Sequence, residues 1–345
     1  MNIVIDARMV DCSGIGTYIQ NILRGISPNL PLIAIGDPEK LKDFPLKDII
    51  SCTAPIYSVK EQLILPQIIP ACDLFWSPHY NVPLLPIRAK KRLVSIHDVY
   101  HMAFFSSLSL AEKAYAKVVL SQAVKRSAGI ITCSQFSSQE ISRFFPGGRE
   151  KIAVIPYGIH KKTIERAPES FLLTVGNLKP HKNLLNLVKS LAYLDRDLMI
   201  VGKKEGLRTK DLSLFSFLEQ HPEISKRVTF TGYVSEKELE NLYARAAVYV
   251  FPSLYEGFGF PILEAMAAGC PVASSSRASL PEVAGNAASY FDPESPVDIA
   301  RAIKQILDNE SYRQELITKG KEQIALFNWQ ECYKKHLNYI MLMRI

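Results

Sequence analysis

The chain has 345 residues and a net charge of +7, with 48% hydrophobic and 22% charged residues. Its length exceeds the size at which a single core usually keeps growing, so we expect two domains of an ordinary globular protein and exclude a disordered or fibrous chain. The six cysteines are scattered without a C-x-x-C pair, which argues for a reducing compartment and against a disulfide framework or a zinc site.

The N-terminal run carries Asp6 and Arg8, which a signal peptide would not, and no apolar run reaches the roughly 18 to 20 residues of a membrane span. The modest positive charge suits a nucleotide diphosphate, a lipid-linked phosphate or an anionic membrane face, and it is equally compatible with a solvated surface. Nucleic acid is disfavoured because the basic residues are spread thinly and no nucleic-acid module accompanies them.

Strand-like and helix-like runs alternate along the chain, which predicts an α/β architecture with parallel sheets. The first strand precedes a glycine-bearing loop with Gly14 and Gly16, and a helix is predicted from about Thr17 to Ile26. Glycines before a helix can cradle a phosphate, and plain loop glycines are the alternative. A dinucleotide site is disfavoured because its fingerprint needs a third glycine where Ile19 stands.

Two further stretches of the first half attract attention. His97 and Asp98 follow a predicted strand at its carboxyl end, where open α/β sheets bind ligands, and we favour a functional over a structural histidine. Downstream, Phe104 and Phe105 precede a predicted helix. The two phenylalanines and the basic residues of this helix fit either contact with a membrane-borne acceptor or ordinary packing. These basic residues are Lys113, Lys117, Lys125 and Arg126.

The second half opens with a strand and a turn from Gly176 to Asn183, in which Lys182 precedes a helix. A lysine beside a glycine turn at a helix start is a common phosphate partner, and a solvated lysine is the alternative.

The stretch from 248 to 273 carries the most information: VYVFPSLYEGFGFPILEAMAAGCPVA. A buried strand is predicted to run into a glycine loop and then into a short helix that begins near Pro261 and ends at Gly269. Glu256 and Glu264 flank the loop, and carboxylates accept hydrogen bonds from the paired hydroxyls of a sugar or a ribose. The helix N-terminus adds unpaired N–H groups for an anion.

This E-G-F-G-x-P pattern with its A-A-G-x-P-V helix end resembles the donor signature of the retaining glycosyltransferases of family four, and in particular bacterial mannosyltransferases of surface-polysaccharide synthesis. The resemblance implies the GT-B fold, two Rossmann-like doubly wound domains facing across a cleft. It places Glu256 at the donor sugar, Glu264 at the ribose hydroxyls, and the backbone of Gly257, Phe258 and Gly259 beside the sugar. It also places the N–H groups of Ile262 and Leu263 at the diphosphate.

The resemblance extends to three other motifs of the chain. The family's G-x-G loop, matched by Gly14 and Gly16, faces the diphosphate, and its H-D pair, matched by His97 and Asp98, lies near the donor sugar and acceptor. Its G-R-L-x-x-x-K-N motif implies that Lys182 binds the diphosphate. Here Asn177 stands where the family has arginine, a departure for which Lys179 or His181 could compensate.

We therefore expect an acceptor-side domain over residues 1–165 and a nucleotide-sugar-binding domain over 166–345, joined near Thr163 to Ser170. In this type of protein a terminal helix, here about 329–345, crosses back onto the first domain.

The predicted function is retaining transfer of a hexose, mannose from GDP-mannose, onto a glycan or lipid-linked acceptor. A UDP-hexose or another GDP-sugar is an alternative donor. A non-hydrolysing sugar-nucleotide epimerase and a catalytically silent glycan-binding relative are the rival functions. We expect no metal and no cofactor, because backbone dipoles and cations hold the diphosphate in such enzymes. We also expect a cytoplasmic protein that contacts the inner membrane face peripherally and binds no nucleic acid.

Overall fold

The computed structural model describes residues 1–105, 108–160, 165–202 and 212–343. They form two compact units, residues 1–158 with 328–345, and residues 159–327. The chain therefore leaves the first unit at Gly158 and returns to it at Asn328. The sequence placed the division at residue 165, a little further along, and Thr163 in the expected connection lies outside the described residues.

The first unit contains a seven-stranded sheet. Its strands are β1 (Ile3–Asp6), β2 (Leu32–Gly36), β3 (Asp48–Ser51), β4 (Cys72–Ser77), β5 (Ala89–Ser95), β6 (Gly129–Thr132) and β7 (Ile152–Val154). Its helices are α1 (Ser13–Ile26), α2 (Pro38–Leu41), α3 (Val59–Ile68), α4 (Tyr100–Ala103), α5 (Leu110–Arg126), α6 (Gln135–Phe144) and, from the end of the chain, α15 (Trp329–Leu342).

The second unit contains a six-stranded sheet. Its strands are β8 (Leu172–Val175), β9 (Leu198–Val201), β10 (Val228–Gly232), β11 (Val248–Phe251), β12 (Val272–Ser275) and β13 (Ala288–Phe291). Its helices are α7 (Leu184–Ser190), α8 (Leu212–Gln220), α9 (Pro222–Ser225), α10 (Glu236–Arg245), α11 (Phe260–Ala267), α12 (Leu280–Ala284), α13 (Pro296–Asp308) and α14 (Glu310–Ala325).

Both sheets are parallel and doubly wound, which confirms the fold class predicted from the sequence. Their orders are β3-β2-β1-β4-β5-β6-β7 and β10-β9-β8-β11-β12-β13. In each sheet the strand order reverses once, between β1 and β4 in the first and between β8 and β11 in the second. Ligands of such sheets bind outside the carboxyl ends of the strands at this switch point.

The terminal helix α15 packs against α1 within the first unit through a chain of buried hydrogen bonds. The Trp76 indole N–H donates to Ser95 Oγ at 3.0 Å, and the Ser95 and Tyr18 hydroxyls are 3.0 Å apart. His336 Nε2 lies 2.9 Å from the Tyr18 hydroxyl, and Nδ1 lies 2.8 Å from the Cys332 carbonyl. Because a carbonyl can only accept, the imidazole proton is on Nδ1, and Nε2 accepts from Tyr18.

This arrangement predicts a pH-dependent stability of the first unit. Burial lowers the pKa of His336 to about 4, against the opposing effect of the Cys332 carbonyl. Between the unfolded value of about 6.5 and pH 4 the unfolded chain takes up a proton that the folded chain refuses, so stability falls as the pH falls through this window. His336→Leu should therefore flatten the dependence by up to about 1.4 kcal/mol per pH unit.

The readout is urea unfolding followed by tryptophan fluorescence, because both tryptophans of the chain, Trp76 and Trp329, lie in the first unit. Equal slopes for the wild type and His336→Leu would contradict the prediction.

No helix within the described ranges has the length and apolar character needed to cross a membrane. Across the same residues, no three His, Cys, Asp or Glu side chains lie close enough together to hold a metal ion.

Candidate active site

The candidate site occupies the carboxyl edge of the second sheet at its switch point. The segment after β8 contributes residues 176–183, and the segment after β11 contributes residues 252–259. Since β8 and β11 are hydrogen-bonded neighbours, two motifs that are distant in sequence lie side by side.

The loop between β11 and α11 folds as its sequence predicts. Gly259 has φ +114° and precedes α11, so the backbone conformation favours glycine, and a Cβ there would lie 3.0 Å from Leu280 Cδ2, which would have to shift to admit it. Pro261 lies in the first turn of the helix, where its missing N–H is tolerated. Gly269, with φ +70°, follows the last turn and provides the left-handed end.

Lys182 and Glu256, predicted separately as phosphate and sugar residues, form an ion pair. Lys182 Nζ lies 2.5 Å from Glu256 Oε1, and the two side chains are 19% and 16% exposed. The ammonium group also lies 5.5 Å from the centre of the Phe251 ring. A cation and a carboxylate that are mostly shielded from water therefore face each other at the switch point, where each is available to a polar ligand.

Asn183 fixes this pair in position. It has φ +56°, a left-handed conformation that asparagine tolerates better than most residues, and its buried side chain reaches across to β11. Its Nδ2 donates to the carbonyls of Pro252 at 3.0 Å and Pro293 at 2.7 Å. The Lys-Asn dipeptide thus ties the segment after β8 to the segment after β11.

Ser279 holds the glycine loop from the other side. Its buried hydroxyl lies 2.9 Å from the Glu256 carbonyl and 2.8 Å from the Phe258 carbonyl. Ala278 before it has φ +58°, a strained value for a residue with a Cβ. Ser279 was not among the residues predicted from the sequence, because its S-R-A-S context contains no signal for this role.

Glu264 accepts a hydrogen bond of 2.9 Å from the hydroxyl of Tyr243, a buried residue of α10. Burial and then the Glu264 carboxylate raise the pKa of Tyr243 well above its usual value, so the hydroxyl remains a donor. Tyr249 of β11 contacts Tyr243 with ring centres 5.3 Å apart, and burial followed by the Glu264 and Glu256 carboxylates raises the pKa of Tyr249 well above its usual value. Tyr243 orients one of the two predicted carboxylates.

The other residues predicted to bind the nucleotide-sugar differ in their hydrogen bonding and in their exposure. The N–H of Ile262 was expected to bind the diphosphate. In this structure it instead donates to the Gly259 carbonyl at 3.0 Å, in the tight first turn of α11. Leu263 is fully buried in the same turn, and Gly257 and Phe258 are buried in the loop. Asn177 and Lys179 are half-buried, whereas His181 is only 9% exposed.

His97 of the first unit is held at both ring nitrogens. Its Nε2 lies 2.8 Å from the Pro78 carbonyl, which can only accept, so Nε2 carries the proton and Nδ1 accepts from the Tyr157 hydroxyl. Burial lowers the pKa of His97 to about 4, against the opposing effects of the Pro78 carbonyl and Asp98. The imidazole is therefore neutral near pH 7.

The prediction that Gly14 and Gly16 lie in a loop before the helix is wrong. In the structure α1 begins at Ser13, and both glycines lie in its first turn. The Gly16 N–H donates to the Cys12 carbonyl at 2.7 Å, and a Cβ on Gly16 would lie 2.5 Å from the Val10 carbonyl oxygen. Gly16 thus lets the helix begin against the preceding segment. Around Gly14 there is open space, and its backbone is accessible.

Comparison with known proteins agrees with this geometry. Residues 158–323 match the family described as glycosyl transferases group 1. The chain is 29% identical over 281 residues to O-antigen chain mannosyltransferase B of Escherichia coli, covering 75% of this chain and 72% of that protein. It is 30% identical over 277 residues to the serotype-specific mannosyltransferase WbdA of the same organism, covering 76% of this chain but only 33% of the much longer relative.

Among solved structures, the HepE protein of Anabaena in complex with UDP and glucose is similar, with a TM-score of 0.77 and 16% identity over 99% of each chain. At this identity the likeness supports the fold alone. The family match covers β8 to α14, the unit that contains the Lys182–Glu256 pair. The resemblance recognised in the sequence is thereby confirmed: the chain carries a glycosyl transferases group 1 domain over residues 158–323, within a GT-B fold.

Proposed function

We propose that this glycosyltransferase moves mannose from GDP-mannose, with retention at the anomeric carbon, onto a glycan or lipid-linked acceptor in surface-polysaccharide synthesis. The names of the relatives support mannose and surface polysaccharide. The Lys182–Glu256 pair carries the proposal, because it supplies a cation for a diphosphate and a carboxylate for a sugar at the switch point of one sheet.

In the proposed complex, Lys182 turns from Glu256 towards the diphosphate and stabilises the charge that develops as the nucleotide leaves. Glu256, released from the lysine, accepts hydrogen bonds from the sugar, and Glu264 accepts them from the ribose. Asn177, Gly257, Phe258, Gly259 and Leu263 line the donor. We propose no metal or cofactor for this step, since the lysine and the helix N-termini supply the positive charge.

His97 keeps a proposed role in orienting the sugar and the acceptor. Both ring nitrogens already have partners, so contact with the sugar requires exchange of one of these hydrogen bonds. We therefore expect the loss of His97 to reduce transfer less than the loss of Glu256.

The proposal is tested by a thermal-shift screen of GDP, UDP, ADP and TDP sugars, followed by an assay of the best donor. A ligand at 100 times its dissociation constant adds about 2.7 kcal/mol of stability. GDP-mannose should give the largest shift, with slow release of mannose that persists in a chelator. A larger shift with UDP-glucose would move the proposal to the UDP-hexose alternative.

The same assay distinguishes the rival functions. Conversion of the donor sugar into an epimer without any acceptor would indicate an epimerase. Failure to release any mannose despite GDP-mannose binding would indicate a silent relative.

The Tyr243–Glu264 contact gives a prediction with an internal control. Glu264→Ala should weaken GDP binding by about 1–3 kcal/mol, the usual value for a hydrogen bond to a charged group. Tyr243→Phe should have a smaller effect in the same direction, because Glu264 loses the donor that orients it. Tyr193→Phe, which makes the same change at a tyrosine 50% exposed in the second unit, is the control and should leave the affinity unchanged. Calorimetry with GDP measures all three, and an unchanged affinity in Glu264→Ala would remove the ribose assignment.

Peripheral binding to the inner face of the membrane is a further part of the proposal. On α5, Leu110 and Val118 are 84% and 50% exposed. Exposed basic side chains on the same helix are Lys117, Lys125 and Arg126. The predicted phenylalanine pair is less available, because Phe104 stacks on Tyr100 and Lys113 lies over the ring of Phe105.

We expect the protein to sediment with phosphatidylglycerol vesicles at low salt and to be released as the salt concentration rises. The double variant Lys117→Glu, Lys125→Glu should abolish this binding. Equal sedimentation with neutral phosphatidylcholine vesicles would reject the electrostatic contact.

A further inference from the structure

Aromatic rings form a continuous surface at the carboxyl edge of the first sheet. The rings of Tyr57 and Tyr80 lie 6.0 Å apart, those of Tyr80 and His101 5.4 Å, and those of Tyr100 and His101 5.6 Å. Tyr57 comes from the segment after β3, Tyr80 from that after β4, and the other two from α4, which follows β5. We call these four residues the tyrosine surface.

Tyr57 combines a strained backbone with a partly exposed ring. Its φ is +61°, which is strained for an aromatic residue, and it is nonetheless 41% exposed to solvent. The next residue, Ser58, caps α3 in a reciprocal pair with Glu61, which fixes the chain on one side of Tyr57. Strain that leaves a large ring exposed is typical of a binding site.

A buried network of charges lies in the segments beneath this surface. Arg8 pairs with Asp6 at 2.7 Å and with Glu61 at 2.9 Å, and all three side chains are at most 3% exposed. Asn81 donates to Glu61 at 2.7 Å and accepts from the Tyr115 hydroxyl, and the Tyr115 ring contacts Tyr57 at 6.2 Å. The network joins β1, α3 and the segment after β4, so the rings are positioned before any ligand arrives.

The chemistry of the four side chains selects the ligand. Aromatic faces carry negative charge density, and the C–H groups of one face of a sugar ring carry partial positive charge, so the two stack. Burial raises the pKa of Tyr57, Tyr80 and Tyr100, so their hydroxyls remain neutral and can pair with sugar hydroxyls. The four residues carry no ammonium or guanidinium group, and the neighbouring Asp98 carboxylate acts on all three tyrosines, so the surface suits a neutral ligand better than an anionic one.

We propose that the tyrosine surface binds a neutral sugar ring of the acceptor glycan. The inference rests on the proposed function for the identity of the glycan, and on the ring geometry for the site. The surface lies on the same sheet edge as His97, which follows β5 and precedes α4 by a few residues. The acceptor sugar would thus be held beside the histidine assigned to orient it.

The test uses saturation-transfer NMR with a mannose disaccharide as the probe. The wild-type protein should transfer saturation to the ring C–H protons of the sugar, and both Tyr57→Ala and Tyr57→Gly should weaken binding by about tenfold or more. Because glycine relieves the positive φ, Tyr57→Gly should melt at a higher temperature than Tyr57→Ala. Loss of binding in the more stable variant cannot then be attributed to unfolding.

Tyr233→Leu, which alters a tyrosine 79% exposed in the second unit, is the matched control and should bind the disaccharide normally. GDP affinity should stay within about twofold in every variant. Wild-type protein that fails to bind the disaccharide, or Tyr57 variants that bind it normally, would overturn the site while leaving GDP-dependent function intact. Normal disaccharide binding without GDP binding would instead overturn the proposed donor.

Discussion

Glu256→Gln is expected to lower mannose transfer by about 10²–10³, the usual cost of one electrostatic group aimed at the reacting centre. The binding of bare GDP should remain nearly unchanged, because GDP lacks the sugar that the carboxylate contacts. Such a split, with turnover lost and nucleotide affinity kept, identifies an interaction made mainly in the transition state. Calorimetry with GDP and a transfer assay with GDP-mannose measure the two quantities.

Glu264→Gln is the matched control, because it removes the other loop carboxylate by the same change. It should weaken GDP binding and affect turnover at saturating donor much less. NMR of the first-formed product should show retention of the anomeric configuration, and an inverted product would contradict retention. Normal turnover in Glu256→Gln would remove this residue from the site.

Lys182→Met should reduce turnover to a similar extent and should also weaken GDP binding, because the lysine is proposed to bind the diphosphate. The ion pair with Glu256 complicates a single variant, since loss of the lysine leaves a carboxylate that is only 16% exposed without its cation. The double variant Lys182→Met, Glu256→Gln resolves this. If the lysine acts only through Glu256, the double variant will match Glu256→Gln and will bind GDP normally.

Two further lysines complete the experiment. Lys179→Met tests the residue that could replace the family's arginine, and Lys226→Met alters an exposed lysine elsewhere in the second unit and should be neutral. Full activity in Lys182→Met together with a loss in Lys179→Met would transfer the phosphate role to Lys179.

The sequence by itself determined the unit from β11 through the glycine loop to α11. Its signals are local: a run of β-branched and aromatic residues, glycines at the positions with φ +114° and +70°, and a proline in the first helical turn. Backbone sterics act between neighbouring residues, so these features can be read without knowledge of the fold. The same reasoning gave the alternation of strands and helices and the parallel α/β class, whereas the two doubly wound domains were implied by the family resemblance.

Prediction from the local sequence failed where a contact with a neighbouring segment determines the backbone conformation. The start of α1 was placed four residues too late, at Thr17 instead of Ser13, because Gly14 and Gly16 were read as a loop. Gly16 is in fact required by the Val10 carbonyl, which leaves no room for a Cβ. The glycine was the correct signal, but its cause is a contact that the sequence pattern does not show.

Only the tertiary structure decided how the site residues are held. Lys182 and Glu256 were both identified from the sequence, but their ion pair spans 74 residues and exists because β8 and β11 are neighbours. The amide bonds of Asn183, the Ser279 hydroxyl at the loop carbonyls and the Tyr243 hydroxyl on Glu264 depend in the same way on strand order. A hydrogen bond acts over about 3 Å, so residues distant in sequence can be paired only once the sheet brings them together.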